Sequence, residues 1–266
     1  MAYTYNYIPG YAVLNLPRRR QYMPNTTRVA AKSAVKDVHY DEALRKFFNH
    51  VFLTMSIGLF LTAMVSELIA NTSLMHVFYN VDENGAPQLS TTWFVAAGLE
   101  LVLVFMISSP KRTAKAGLSS MLLFFLFAAL TGITTAPVLY AYTAASAGTV
   151  FLITAGTFGS AALWGYTTKM DMSRFSGFLV MGLIGLILAM VVNIFLGSPA
   201  IQFAISIIGV GLFVGLTAWD MQTFRRLFDQ LGGGSSTGLV ANATLALYLD
   251  FLNLFLFFLE LFGVRK

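Results

Sequence analysis

Seven stretches of this chain, near residues 48–69, 91–109, 117–141, 148–167, 176–196, 200–223 and 240–262, are almost continuously apolar. Each is close to the length that carries a helix across the hydrocarbon core of a bilayer, about 20 residues. Backbone inside hydrocarbon has to satisfy its own hydrogen bonds, so such runs are helical. The expected fold class is an all-α membrane protein, a bundle of seven transmembrane helices. Polar or glycine-rich breaks separate the runs, the weakest of them between the third and fourth. Only 11% of residues are charged and 57% are hydrophobic, whereas soluble domains carry about a quarter charged residues.

The net charge of +5 does not point to nucleic acid, because the basic residues are distributed by loop. Eight of the 17 precede the first run: Arg18, Arg19, Arg20, Arg28, Lys32, Lys36, Arg45 and Lys46. Lys111, Arg112 and Lys115 follow the second, Lys169 and Arg174 the fourth, and Arg225 and Arg226 the sixth. The loops after the first, third and fifth runs have no Lys or Arg. This alternation is the positive-inside pattern, so the amino terminus and the even-numbered connections are expected in the cytoplasm. Arg265 and Lys266 are the exception, since seven crossings would put them outside; a seventh helix that stops short of a full crossing would remove the conflict.

Residues 1–46 are rich in Pro, Tyr and Arg and lack the apolar core of a signal peptide. They read as a basic cytoplasmic tail, disordered by composition, ahead of a membrane domain at 47–266. With no cysteine in the chain, disulfides and thiolate metal sites are excluded. The loop at 71–90, with Asn84-Gly85 and Pro87, is a turn-rich connector, and "LGGGSSTG" at 231–238 is a flexible linker. Small residues are expected where helices approach closely: Gly211 and Gly215 in the sixth run, Gly182 and Gly185 in the fifth, Gly156 and Gly159 in the fourth. In "TGITTAP" (131–137), Pro137 predicts a kink or local unwinding, with threonine hydroxyls bonding the freed carbonyls.

Ionisable groups inside the runs are the functional candidates, because an Asp at a helix centre costs about 2.5–3.5 kcal/mol on insertion scales. His50, Glu67 and Glu260 sit near enough to run ends to reach the interface. Glu100, Asp220 and Asp250 do not, and no Lys or Arg lies inside a run to neutralise them. Either these carboxyls are protonated and hydrogen-bonded, or a cation or water compensates them. Two adjacent carboxyls do not ionise independently; they share a proton and titrate as a unit. Such a site responds to pH and favours cations. Calcium prefers oxygen ligands, and Asn253, on the same helical face as Asp250, offers a carbonyl oxygen.

The segments "TAGTFGSAALWGYTTKMDMSRF" (154–175), "GLTAWDMQ" (215–222) and "LALYLDFLNLFL" (245–256), in this order and spacing, resemble the Bax inhibitor-1 (transmembrane Bax inhibitor motif) family and its bacterial YccA-like members. The likeness runs from about Ala43 to the end. It implies a seven-helix bundle with the last helix central, in a bacterial inner membrane. It also implies a pH-sensitive calcium leak whose sensor is an aspartate pair on the sixth and seventh helices, which falls on Asp220 and Asp250. In some members a basic residue after the second helix latches the pair in a closed state; Lys111 or Arg112 would fill that role. The family often has a basic residue near the end of the last helix, where this chain has Glu260.

A second reading suggested by YccA-like relatives is a non-channel regulator that binds a membrane-bound quality-control protease through the basic tail. Enzymes fit less well. Presenilin-type proteases also use paired intramembrane aspartates, but the contexts here are Trp219-Asp220 and Leu249-Asp250. A zinc hydrolase needs clustered histidines, and His39, His50 and His76 are scattered; a retinal protein needs a lysine in the seventh run. No cofactor is implied beyond calcium as a transported or bound ion.

Overall fold

The computed structural model describes residues 25–81, 87–109 and 118–266. The chain divides into two compact units, Met1–Glu42 and Ala43–Lys266, and the second holds the candidate site. The long helices are α1 (Asn25–Ala70), α2 (Thr91–Ile107), α3 (Leu118–Ala141), α4 (Ala144–Thr167), α5 (Ser176–Leu196), α6 (Pro199–Gln230) and α7 (Thr237–Phe262). Six helices among the described residues are long and apolar enough to span a membrane, and α2, at 17 residues, is the shorter seventh apolar helix. α1 begins at Asn25, well before the apolar run it contains. Ala and Lys dominate "RVAAKSAVK", and no Gly or Pro interrupts residues 25–46, so helix propensity there is high. The rest of the segment expected to be disordered, residues 1–24, lies outside the described residues.

Helix starts follow the capping rule that a short side-chain oxygen satisfies an orphan N–H of the first turn. Ser90 accepts from Trp93 N, Thr143 from Ser146 N, Ser198 from Ile201 N and Ser236 from Leu239 N. Between α1 and α2 the chain forms one helical turn, Met75–Phe78, and a two-stranded antiparallel ribbon, β1 (Tyr79–Val81) with β2 (Pro87–Leu89), in register Tyr79↔Leu89. The Asn84-Gly85 turn expected in that loop lies outside the described residues.

The last helix is the most deeply buried of the spans, with 56% of its apolar window inside the protein. It packs on α2, α3, α4 and α6, and on α1 through the Thr62 hydroxyl, 2.6 Å from the Tyr248 hydroxyl. Tyr248 is fully buried, with the rings of Phe124 and Phe127 edge-on against it. Thr62→Val keeps the shape but strips Tyr248 of this partner. An expected loss of about 1–3 kcal/mol would show as a lower unfolding midpoint in detergent, with Thr62→Ser close to wild type.

Pro137 lies inside a continuous α3. Having no N–H, it frees the carbonyl of the residue four positions back, Ile133. The partner that satisfies it is not a threonine of the same helix, as the sequence suggested, but Tyr79 of β1, whose hydroxyl donates to Ile133 O at 2.9 Å. Trp93 Nε1 donates to the adjacent Thr134 O at 3.2 Å. The threonines bond one turn back along α3 instead, Thr131 to Phe127 O and Thr135 to Thr131 O.

Two of the six glycines expected at helix contacts are found there. Gly215 and Gly182 meet Leu179 and Leu212 across the α5–α6 seam, whereas Gly156, Gly159, Gly185 and Gly211 have open space where a Cβ would stand. At Gly165 α4 approaches α6 closely: a Cβ there would fall 2.5 Å from the carbonyl oxygen of Ala218.

Arg265 and Lys266, which break the charge pattern, have side-chain partners at this end of the bundle. Arg265 NH2 lies 2.8 Å from Glu260 Oε1 and its guanidinium covers the Tyr142 ring; Lys266 covers Tyr140. The backbone joins in, with Thr143 N donating to Val264 O and Lys266 N to Ala141 O, both 2.9 Å. Glu260 thus takes a basic partner from its own chain segment, five residues further on.

Candidate functional site

Asp250 sits at the middle of α7 and is 5% exposed. Asp220 is half-buried on α6, the helix packed along that side of α7. The two carboxyls interact electrostatically, and Thr217, one turn before Asp220 on α6, is fully buried. Thr217 Oγ1 itself donates to Phe213 O at 2.8 Å. Its single proton is thereby committed, so Thr217 has no donor left for a carboxylate. Asp250 Oδ2 is buried with no hydrogen-bond partner among the described residues; the neighbouring Trp219 Nε1 shares that condition.

The apolar runs alone place the two aspartates at unequal depths, since the sixth run ends at 223. The structure removes the mismatch by lengthening α6 rather than delaying α7. Helix α6 continues to Gln230, ten residues beyond Asp220, and α7 starts at Thr237, thirteen residues before Asp250. At about 1.5 Å per residue the carboxyls lie ~15 and ~20 Å from the ends of their helices. Gly232 and Gly233, at φ 73° and 77°, make the turn between them, a conformation that costs glycine nothing. The linker is therefore a defined reversal.

Of the other candidates, Asn253 is on the same helix face but its amide Nδ2 donates to Leu249 O at 2.8 Å. Glu100 is not brought to the pair. Its Oε1 accepts from Thr134 on α3 at 2.7 Å, on another side of the bundle. Lys111 and Arg112, the proposed latch, lie outside the described residues. Among the described residues no three of His, Cys, Asp or Glu converge to hold a metal, so the pair is not part of a multi-carboxylate calcium cage.

Sequence reasoning missed Gln222, two residues past Asp220. Its Nε2 donates to Met170 O at 2.7 Å and its Oε1 accepts from Met172 N at 2.9 Å, clamping the α4–α5 loop to α6. Arg226 adds an ion pair to Asp171 at 3.2 Å. The "WDMQ" spelling held the residue, but nothing in it announced a partner fifty positions earlier. Asp171 is held below the ordinary carboxylate range, first by the Ser173 hydroxyl and then by its backbone N–H and Arg226. Its contribution to folding is therefore complete at neutral pH and disappears only as pH falls through that lowered value. Asp171→Asn is expected to leave the pH profile of any transport activity between pH 6 and 8 unchanged, as read by flux in proteoliposomes, with at most a small effect on stability because the pair is exposed.

Comparison with known proteins agrees with this architecture. Residues 44–266 match the family model described as "Inhibitor of apoptosis-promoting Bax1". The chain is 39% identical over 229 residues to the inner membrane protein YbhL of Escherichia coli K12, covering 84% of this chain and 93% of the relative. It is 35% identical over 238 residues to a protein of Caulobacter vibrioides, covering 86% and 93%, and 33% identical over 226 residues to a membrane protein of Streptococcus pyogenes serotype M1, covering 84% and 94%. With its whole helical unit matched and its motifs in order, the chain belongs to the Bax inhibitor-1 family of membrane proteins.

Proposed function

We propose that this protein is a passive, pH-sensitive cation leak of a bacterial inner membrane, with calcium as the cargo and Asp220 and Asp250 as the gating pair. In this reading α1–α7 all cross, α7 is the central helix, and the amino terminus is cytoplasmic. The observation that carries it is Asp250, a carboxyl on the most buried helix with an unpartnered oxygen, beside α6, which carries a second carboxyl that interacts with it electrostatically. A buried acid of this kind is costly, and packing does not require it, since Asn or Leu would fill the volume. A leak also has to release its ion, which suits two carboxylates and neutral oxygens better than a closed cage.

A proton shared by the pair links α6 to α7. Losing it creates repulsion, and a second proton replaces repulsion with a neutral hydrogen bond, so each protonation state favours a different helix spacing. Calcium entry into proteoliposomes of purified wild type, measured across pH, tests the reading directly. A pH-dependent flux above protein-free liposomes is expected. No flux at any pH would overturn it in favour of a regulator that acts by binding another membrane protein.

A further inference from the structure

We propose that Glu100, with Thr134, Thr131, Tyr248, Thr62 and Ser66, forms a second proton-binding site, on the face of α7 turned away from the aspartate pair. Tyr248 and Asp250 are two residues apart, about 200° around a helix at 3.6 residues per turn. The groups that touch Tyr248 therefore come from α1 and α3 and not from α6.

The site is built from four elements. Glu100 projects from α2 and accepts from the Thr134 hydroxyl at 2.7 Å. Thr131, one turn earlier on α3, is buried and donates to Phe127 O at 2.9 Å, which leaves its oxygen free to accept. Tyr248 then meets Thr62 at 2.6 Å, and Thr62 Oγ1 is also 2.8 Å from Ala128 O and 3.0 Å from Gly58 O. Hydroxyls that can each give one proton and accept others thus flank the carboxyl on α3 and continue through Tyr248 on α7 to Thr62 on α1.

An independent observation marks the same seam. Ser66 is fully buried and its hydroxyl has no partner among the described residues. It is one turn beyond Thr62 and three residues before Ile69, so these three share a face of α1. Thr62 is bonded to Tyr248, and Ile69 packs with Tyr79 and Ala136. Ser66 therefore lies between Tyr248 and Tyr79, the two side chains on which the Glu100 charge acts. A buried hydroxyl left unpaired in native structure calls for a ligand or water.

The chemistry selects a proton. There is one carboxyl, and the remaining oxygens are hydroxyls and carbonyls, too little charge to hold a divalent cation. The titratable groups facing Glu100 are Tyr79 from β1 and Tyr248 from α7; α3 contributes hydroxyls. Glu67 on α1 is turned to Asn71, whose amide lies 2.6 Å from it. Tyr79 and Trp93 cap this end of the seam by bonding the carbonyls next to Pro137, so a proton reaching Glu100 from that end passes beneath them. The central helix is then held by protonatable contacts on two faces.

The test does not depend on transport. Infrared difference spectra of the full chain in lipid, recorded across pH, report the C=O band of a protonated carboxyl shielded from water. In Asp220→Asn/Asp250→Asn such a titrating band is expected to persist, and adding Glu100→Gln is expected to remove it. Thr134→Val should move its midpoint by about one pH unit, a tenfold change in proton affinity. A band that vanishes with the two aspartates, or survives Glu100→Gln, overturns the proposal.

Discussion

Gly165→Val is expected to be the most damaging single substitution at the α4–α6 seam. The first carbon of the new side chain would stand 2.5 Å from Ala218 O, 2.6 Å from its Cα and 2.9 Å from its carbonyl carbon. All three are backbone atoms, so no rotamer change relieves the overlap and one helix has to move. Overpacking of this sort costs about 1–3 kcal/mol, occasionally more. Ala218 is two residues from Asp220, so the displacement also reaches the carboxyl pair. Thermal unfolding in detergent should show a clearly lowered midpoint, while Gly156→Val, where nothing lies within 4 Å, should stay near wild type. Equal effects at the two glycines would show that α4 is not seated on α6 as described.

Asp250→Asn is expected to have the largest effect on activity. Asn keeps the volume but cannot carry the negative charge or exchange a proton at neutral pH. If the carboxyls govern α6–α7 spacing through protonation, calcium flux through this variant loses its pH dependence. It should fall to a constant level, because the charge that draws a cation into a low-dielectric interior is gone. The variant should fold at least as well as wild type, since a buried acid has been replaced by a neutral amide. Low flux from a misfolded protein is thereby distinguished from low flux through a folded one, by comparing unfolding midpoints alongside transport.

The helical architecture was readable because hydrocarbon imposes a length and a composition that a sequence displays directly. Asp250 was readable for the same reason, a charge inside an apolar run. What could not be read was set by partners far away in the chain. Glu100 looked like a third member of the aspartate site until its position beside Thr134 put it elsewhere. Gly165 had no GxxxG signature, yet it makes the close approach, while Gly211 of a GxxxG pair faces open space. Spacing within one helix says that a face is small, not which face meets a neighbour. The position of Asp220 along its helix was not legible in the apolar run because α6 continues past it through "MQTFRRLFDQ" to Gln230.

The central claim is that Asp220 and Asp250 act as one titrating unit between α6 and α7. The pH profile of calcium flux in wild type, Asp220→Asn, Asp250→Asn and the double variant tests it most directly, because groups that act as a unit are non-additive. Either single change is expected to remove the pH response, and the double variant should match them. Two separate pH transitions, one lost with each aspartate and their effects adding in the double variant, would contradict it.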